Sequence, residues 1–132
     1  MLYVPLMPSA KLTFEQVRKI GLSLPEVESS TIYGAPAIKL RGRLVACVPS
    51  HRSAEPDSLA VRTSFEERDA LLAEQPGTYY LPDHYVSHPI VLVRFSKIRL
   101  DQLRDLIKTA HRFVLQHESE KMSRRRSKIR RE

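Results

Sequence analysis

The spacing of apolar residues along the chain predicts three helices. In the first and the last of them an apolar side chain returns every three or four positions, which is the pattern of an amphipathic helix. Thr13, Ser64 and Asp101 are the expected N-caps of these helices. Gln16 and Glu67 lie three residues after the first two caps and complete predicted capping boxes.

The last helix has the longest apolar stripe of the three and is expected to end near His117. Its stripe has the spacing i, i+3, i+4, i+7 and i+11 and consists of Leu103, Leu106, Ile107, Ala110 and Val114. The second helix has fewer apolar residues, enough for one buried stripe, and these are Phe65, Ala70, Leu71 and Leu72.

Alternation of apolar and polar residues predicts β-strands between the helices, and the clearest pair forms a hairpin around Gly42. Its two arms have apolar residues at even-numbered positions, which are Ile38, Leu40, Leu44, Ala46 and Val48. If these residues share one face, even positions pair with even positions, and the loop then contains an odd number of residues. We therefore predict a three-residue loop in which Gly42 adopts a positive φ.

Further strands are expected over residues 28–33, 58–62 and 90–95, with a short one at 79–81. The run over 90–95 is the most continuous apolar strand, so we expect it in the interior of the sheet. The apolar stripe of the last helix should pack against it. The order of the elements predicts an α+β fold with a mainly antiparallel sheet and three helices.

The length of 132 residues is that of one domain. We divide the chain into a leader (residues 1–11), the α+β domain (12–117) and a basic tail (118–132). No segment approaches the roughly 18 consecutive apolar residues of a membrane span. The single cysteine, Cys47, cannot form an internal disulfide, which is typical of a reducing compartment. We therefore expect a cytoplasmic protein that does not enter a membrane.

The net charge of +7 is concentrated at the end of the chain. The tail holds seven basic residues against three acidic ones, so more than half of the net charge lies there. We predict that this tail is disordered. It is either a nucleic-acid arm that becomes ordered on binding or a solvated charge run that continues the last helix and frays. The cations that such an arm would use are Arg124, Arg125, Arg126, Lys128, Arg130 and Arg131.

Four short runs resemble the MmcQ/YjbR family of small bacterial proteins. They are LPEVE at residues 24–28, YGAPAIK at 33–39 followed by Gly42, DHY at 83–85, and PIVLVR at 89–94. The similarity extends over about residues 12–116, with the runs in the family's order. The resemblance implies a double-wing architecture like that of the DNA-binding domain of the phage transcription factor MotA, and with it an expectation of DNA binding. It implies no catalytic residue.

The hairpin is the first candidate site. Lys39, Arg41 and Arg43 are three cations within five residues with no acid between them. At the tip or on the outer face of a hairpin, they would contact the phosphates of DNA or of another nucleic acid. The alternative is an ordinary solvated surface, because exposed strands use Lys and Arg to discourage edge-to-edge association.

A second candidate site is the segment after the second helix, where tyrosines and histidines are concentrated. These residues would stack on bases or line a ligand pocket, or else cover the edge of the sheet, and they are Tyr79, Tyr80, His84, Tyr85 and His88. The alternative function is thus a protein- or small-ligand-binding module. His84 and His88 lie in a proline-flanked loop with no further ligands nearby, so we predict no metal site. Since no nucleophile–base pair or glycine-rich phosphate loop is visible, we also predict no cofactor and no catalysis.

Overall fold

The computed structural model of the chain describes residues 12–131, so the predicted leader (residues 1–11) and Glu132 lie outside the described residues. Its elements are α1 (Phe14–Leu22), β1 (Val27–Ile32), β2 (Ala35–Leu40), β3 (Arg43–Cys47), β4 (Ser58–Arg62), α2 (Phe65–Glu74), β5 (Tyr79–Tyr80), β6 (Ile90–Arg94) and α3 (Leu100–Arg131). A single 3-10 turn, Asp83–Tyr85, lies between β5 and β6. The predicted α+β fold with three helices is confirmed.

The six strands form one antiparallel sheet in the order β1-β2-β3-β4-β6-β5. Strands β1 to β4 pair in sequence order as a meander, and only the α2–β5 segment comes between β4 and its other partner, β6. β6 is paired on both sides, so its predicted position in the interior of the sheet is confirmed.

Helices α1 and α3 cover one face of the sheet, and the main core lies between them and the strands. Side chains of the strands are completely buried there, among them Ile38, Leu40, Leu59, Val91 and Val93. All five residues of the predicted stripe on α3 are buried in the same core, so the predicted packing of α3 against the sheet is confirmed. α1 begins with the predicted capping box, in which Thr13 and Gln16 exchange hydrogen bonds.

The opposite face of the sheet, which we call the loop face, is covered by connecting segments. Its apolar cluster is small and consists of Ala37, Cys47, Ala60, Tyr85 and Leu92. Residues 48–57, between β3 and β4, and residues 82–89, between β5 and β6, meet over this cluster. Because several strand residues of this face are small, the two loops leave a hollow above the sheet.

The β2–β3 hairpin has a two-residue turn, so the predicted three-residue loop is wrong. Arg41 and Gly42 form the turn, both at positive φ, with values of 50° and 80°. The register of β2 against β3 shifts by one residue between Ile38 and Lys39, where Val45 is the extra residue on β3. The bulge leaves Ile38, Leu40 and Ala46 on the core face but turns Leu44 to the loop face, so the predicted common face of the even-numbered residues is only partly formed.

Helix α2 forms the predicted buried apolar stripe only in part: Leu71 and Leu72 pack, partly buried, against the main core, whereas Phe65 and Ala70 are exposed. Ser64 caps the helix, its side chain accepting a hydrogen bond from the backbone N–H of Glu67 at 3.1 Å. Arg68 is the only buried residue of the helix, and Phe65 is largely exposed. The physical reason is position: α2 packs beside the short edge strand β5, where little apolar surface is available to cover.

Helix α3 continues to Arg131, whereas we predicted that it ends near His117. The apolar stripe does end before that point, but Lys and Arg are good helix formers, so the basic sequence that follows can continue the helix. Residues 118–131 are thus helical where we predicted a disordered tail. Within the described part of the chain, no helix is long and apolar enough to cross a membrane.

Candidate functional site

We call the hairpin cations Lys39, Arg41 and Arg43 the cationic tip. Arg43 lies beside the point where α3 leaves the domain, whereas Lys39 alternates with Ile38 and Leu40 of the main core and therefore lies on the loop face. The Arg43 guanidinium contacts the carboxylate of Glu118 on α3. From this contact α3 continues to Arg131, which at about 1.5 Å per residue is an extension of ~20 Å. The cationic tip and the basic end of α3 are therefore at one end of the molecule.

Two of the three tip cations are paired with acidic side chains of the chain itself. Nη2 of Arg41 lies 2.7 Å from Oε2 of Glu26, and this hydrogen-bonded pair raises the pKa of Arg41. Arg43 is paired with Glu118. Lys39, partly buried on β2, is in no ion pair with any residue of the described range 12–131. The tip therefore presents less free charge than its sequence indicates.

A further cation, Arg62 at the end of β4, lies close to the tip. Burial, and after it the charge of Arg43, lowers the pKa of Arg62. Its guanidinium carbon is 6.0 Å from the centre of the Phe113 ring on α3. The sequence pattern did not single out this residue, because an arginine at the end of a strand looks like any solvated strand terminus.

The predicted tail cations are described in part. Arg124 and Arg125 are exposed side chains on α3. Arg126, Lys128, Arg130 and Arg131 belong to the helical backbone, but their side chains are outside the described part of the structure. The described members of this set lie beyond the contact with the cationic tip, on the extension of α3.

The predicted tyrosine–histidine segment divides between the two sides of the sheet. Tyr79 is buried in the main core and is not available to a ligand. The Tyr80 hydroxyl lies 2.5 Å from Oγ of Ser58 and accepts a hydrogen bond from the Glu55 backbone N–H at 2.8 Å, so its polar atom is already used. The remaining three residues line a cavity on the loop face, and they are His84, Tyr85 and His88.

This cavity has a volume of about 240 Å³, is bounded by both loops and the strands beneath them, and is open to solvent on one side. The strand residues that line it are mostly apolar and include Leu44, Cys47, Ala60 and Ile90. The sequence pattern did not single out another of its residues, His51, because His51 and His84 are more than 30 positions apart and no local periodicity connects them. Tyr33, in the β1–β2 turn, lies at the rim with 89% of its surface exposed.

His51 and His84 form a stacked pair in the lining of the cavity. Their ring centres are 3.6 Å apart and their planes are 7° from parallel, and the Tyr85 ring meets both at nearly right angles. The Ser53 backbone N–H donates to Nδ1 of His51 at 3.1 Å, so the neutral ring carries its proton on Nε2. Burial, followed by the charges of His84 and Arg52, lowers the pKa of His51 below its ordinary value of 6.5. His51 is therefore neutral at pH 7.

Arginines anchor both loops that form the cavity. Nη1 of Arg68 on α2 donates to the backbone carbonyls of Val86 and His88, at 2.8 and 2.9 Å. Arg94 on β6 holds the other loop through Glu55, with 2.6 Å between Nη2 and Oε2. The walls of the cavity are thus held by the folded chain itself, as in most preformed ligand sites.

The cavity offers stacking, hydrogen bonding and apolar contact. Burial raises the pKa of the Cys47 thiol to about 11, so its sulfur stays protonated near neutral pH and is a poor nucleophile. Burial is also the main cause that raises the pKa of the Tyr85 phenol. In residues 12–131, no group of three or more His, Cys, Asp or Glu side chains is arranged to hold a metal ion.

The fold and the two sites define a small α+β protein built on one meandering antiparallel sheet, with cations at one end and a cavity under the loops. Comparison with known proteins identifies the family. The chain belongs to the YjbR family, whose model matches residues 22–113. The resemblance noted in the sequence is thereby confirmed.

Two curated relatives are the uncharacterized proteins Rv2570 of Mycobacterium tuberculosis (strain ATCC 25618 / H37Rv) and Mb2600 of Mycobacterium bovis, each 40% identical over 55 residues. The match covers 41% of this chain and 43% of theirs. The crystal structure of Deinococcus radiodurans protein DR2400, with a DUF419 domain, is similar with a TM-score of 0.63 over 79% of each chain, at 16% identity. At that identity the similarity shows the fold alone, so double-wing DNA binding stays a prediction.

Proposed function

We propose that the protein binds nucleic acid through its phosphate backbone, at the end of the molecule where the cationic tip meets the basic extension of α3. The observation that carries this proposal is the contact between Arg43 and Glu118, from which α3 extends toward Arg131. Two groups of cations that are far apart in the sequence are thereby neighbours in space. Together they provide a longer charged surface than either group alone.

The length of this surface suits a polyanion. A duplex carries about one phosphate charge per 1.7 Å of its axis, so an extension of ~20 Å passes on the order of ten phosphates. Among the described ion pairs, none involves Lys39, Arg124 or Arg125, so their charges are available to a ligand. Contacts of this kind position a protein on the backbone and carry no sequence information directly. We therefore expect weak, salt-sensitive and largely sequence-independent binding.

Arg41 and Arg43 have a different role from the free cations. Each would exchange a carboxylate partner for a phosphate, so the net gain in affinity per contact is small. Their fixed positions at a tight turn would instead set the orientation of the complex. The tip thus directs binding, and the extension of α3 supplies most of the affinity.

The test is fluorescence anisotropy of a labelled duplex of about 20 base pairs, repeated at several salt concentrations. The variant R124Q/R125Q removes two charges from the extension of α3. Each phosphate contact contributes about 0.9 to the slope of log K against log salt, so we expect this slope to fall by up to ~2.

The matched control is R104Q/K108Q, which removes two exposed charges from the same helix about 28 Å away. We expect the control to bind like the unaltered protein. Equal losses in the two double variants would mean that net charge alone drives binding, and a defined interface would then be rejected. Absence of binding by the unaltered protein at about 50 mM salt would reject the proposal as a whole.

A second candidate function, binding of a small ligand without catalysis, is supported by the cavity on the loop face. Its specific support is that Arg68 and Arg94 hold the two loops so that a cavity of about 240 Å³ lies between them and the sheet. A thermal-shift screen of metabolites tests it. A compound that raises the unfolding midpoint of the unaltered protein but not of His84→Ala supports this function, and a screen without any such compound counts against it.

A further inference from the structure

We propose that the cavity on the loop face binds a planar, nitrogen-containing aromatic ring of about the size of a nucleobase, which stacks on the His51–His84 pair beneath Tyr33. This inference rests on the second candidate function and names the class of ligand for it. It is independent of the binding proposed for the cationic end.

The first support is the geometry of the histidine pair. Two rings 3.6 Å apart and 7° from parallel already have the arrangement in which aromatic systems stack. His84 is the more exposed of the two, so its ring is the more accessible to a further one. Because the Ser53 backbone N–H donates to Nδ1 of His51, the ring carries a proton on Nε2, and none of the hydrogen bonds described within residues 12–131 uses this donor. A heteroaromatic ring offers both a flat face for the stack and acceptor atoms for a donor.

The second support is the size and composition of the cavity. A volume of about 240 Å³ is below the roughly 300–1,000 Å³ of sites that enclose drug-sized ligands. One ring system fits, whereas a complete nucleotide would leave its sugar and phosphate outside. The apolar lining, which includes Leu44, Ala60 and Ile90, suits the ring and would not compensate a buried charged group.

The third support is Tyr33. Its φ of +50° belongs to the left-handed region, where a bulky side chain is disfavoured. It is also 89% exposed, so the core does not hold it there. A tyrosine that is neither buried nor conformationally favoured, at the rim of an aromatic-lined cavity, is well suited to contact a ligand from outside.

Two sources could supply such a ring: a free base or nucleoside, or an unstacked base of a single-stranded nucleic acid. Both present the same flat ring with acceptor atoms at its edge. Leu44 in the lining pairs with Lys39 across the hairpin and lies on the same face of the sheet, so a strand bound at Lys39 would have a base within reach of the cavity. The experiment has to separate these sources.

The test follows the histidine ring signals of the full chain by NMR while adenosine or uridine is added. A second series uses a short single-stranded oligonucleotide and its abasic counterpart of equal length. Saturable shifts of the His51 and His84 signals with the nucleosides identify a free ligand. Shifts with the oligonucleotide, but with neither nucleosides nor the abasic strand, identify a base within a strand. If none of these probes shifts the signals, or if the abasic strand shifts them equally, the inference is wrong.

Two variants remove the stacking surfaces, and a third serves as a control. His84→Ala deletes one ring of the pair, and Tyr33→Asn deletes the rim ring while introducing a residue that this turn favours, so it should fold at least as well. We expect each to bind the ring roughly tenfold more weakly or worse. Val86→Ala changes an exposed residue of the same loop that does not line the cavity, so this variant should bind the ring with unchanged affinity.

The outcomes distinguish this inference both from the second candidate function, on which it rests, and from the proposal for the cationic end. Unchanged affinity in both His84→Ala and Tyr33→Asn would overturn the stacking geometry. Binding of only non-aromatic compounds in the cavity would retain the second candidate function and reject the ring. R124Q/R125Q should bind nucleosides normally, so failure at the cationic end does not affect this result.

Discussion

Replacement of Arg68 should release the loop that carries His84 while leaving the main core intact. Arg68 is 7% exposed and donates from Nη1 to two backbone carbonyls of that loop, those of Val86 and His88. Its Nε also lies 3.2 Å from a carboxylate oxygen of Asp69. These contacts connect α2 to the loop, and they lie away from the core under α1 and α3.

The size of the effect follows from the type of hydrogen bond. A hydrogen bond with a charged donor contributes about 1.5–3 kcal/mol, so two of them bring ~3–6 kcal/mol as an upper bound. Val86 and His88 are exposed, so water can replace part of what is lost. We therefore expect Arg68→Met, which keeps most of the aliphatic volume, to lower the free energy of unfolding by about 2–3 kcal/mol. Arg68→Lys keeps the charge but lacks the planar guanidinium group, so it should lower the free energy of unfolding by about half as much.

Urea denaturation measures the free energy of unfolding, and the ring signals of His51 and His84 report on the loop separately. In Arg68→Met we expect both the loss of stability and a shift of both histidine signals, because His84 is no longer held against His51. Arg104→Met, at an exposed position of α3, is the control and should change stability by less than ~0.5 kcal/mol. If Arg68→Met lowers the free energy of unfolding as little as the control does, Arg68 does not hold this loop. The same conclusion follows if Arg68→Met destabilises the protein without shifting the ring signals of His51 and His84.

Three further predictions concern the core, the tip and the histidine pair. Leu106→Ala should lower the free energy of unfolding by about 2–4 kcal/mol in urea, since Leu106 is 7% exposed in the main core; a loss below ~1 kcal/mol would contradict this. Glu118→Gln should release Arg43 and strengthen duplex binding severalfold at low salt; unchanged binding would exclude Arg43 from the interface. In an NMR titration His51 should have a pKa below 6.5, and His84→Ala should raise it. Because the pKa of His51 is lower in the folded than in the unfolded chain, its contribution to the free energy of unfolding is present above about pH 6.5 and is lost as the pH falls through the folded-state pKa. A measured pKa of 6.5 or higher would refute this argument.

Features determined by local pattern were predictable from the sequence. The capping box of α1, the bounds of β4 and the buried stripe of α3 each depend on residues within a few positions of one another. The predicted length of the hairpin loop was wrong because the alternation of apolar residues fixes whether the number of residues between the arms is odd or even, but not where the odd residue lies. A bulge at Val45 accounts for the odd residue as well as a three-residue loop does. Arg68 was not singled out, since a buried arginine in a helix has the same sequence signal as an exposed one. The His51–His84 pair exists only because two loops meet over the sheet.

The two hairpin turns that flank β2 contain residues that oppose the local sequence preference, and both turns belong to the candidate sites. Each turn consists of a non-glycine residue followed by glycine, and both residues have positive φ. The values are 50° for Tyr33 and 77° for Gly34 in the first turn, and 50° for Arg41 and 80° for Gly42 in the second. Asn or Asp is the favoured first residue of such a turn, so Tyr33 and Arg41 both oppose the local preference. One is at the rim of the cavity and the other belongs to the cationic tip. If the role of Tyr33 is in binding and not in folding, Tyr33→Asn should raise the midpoint of thermal unfolding. The reason is that an unfavourable φ of this kind costs of order 1 kcal/mol. A lower midpoint would mean that the Tyr33 ring stabilises the folded chain, and its assignment to a ligand would then lose its main support.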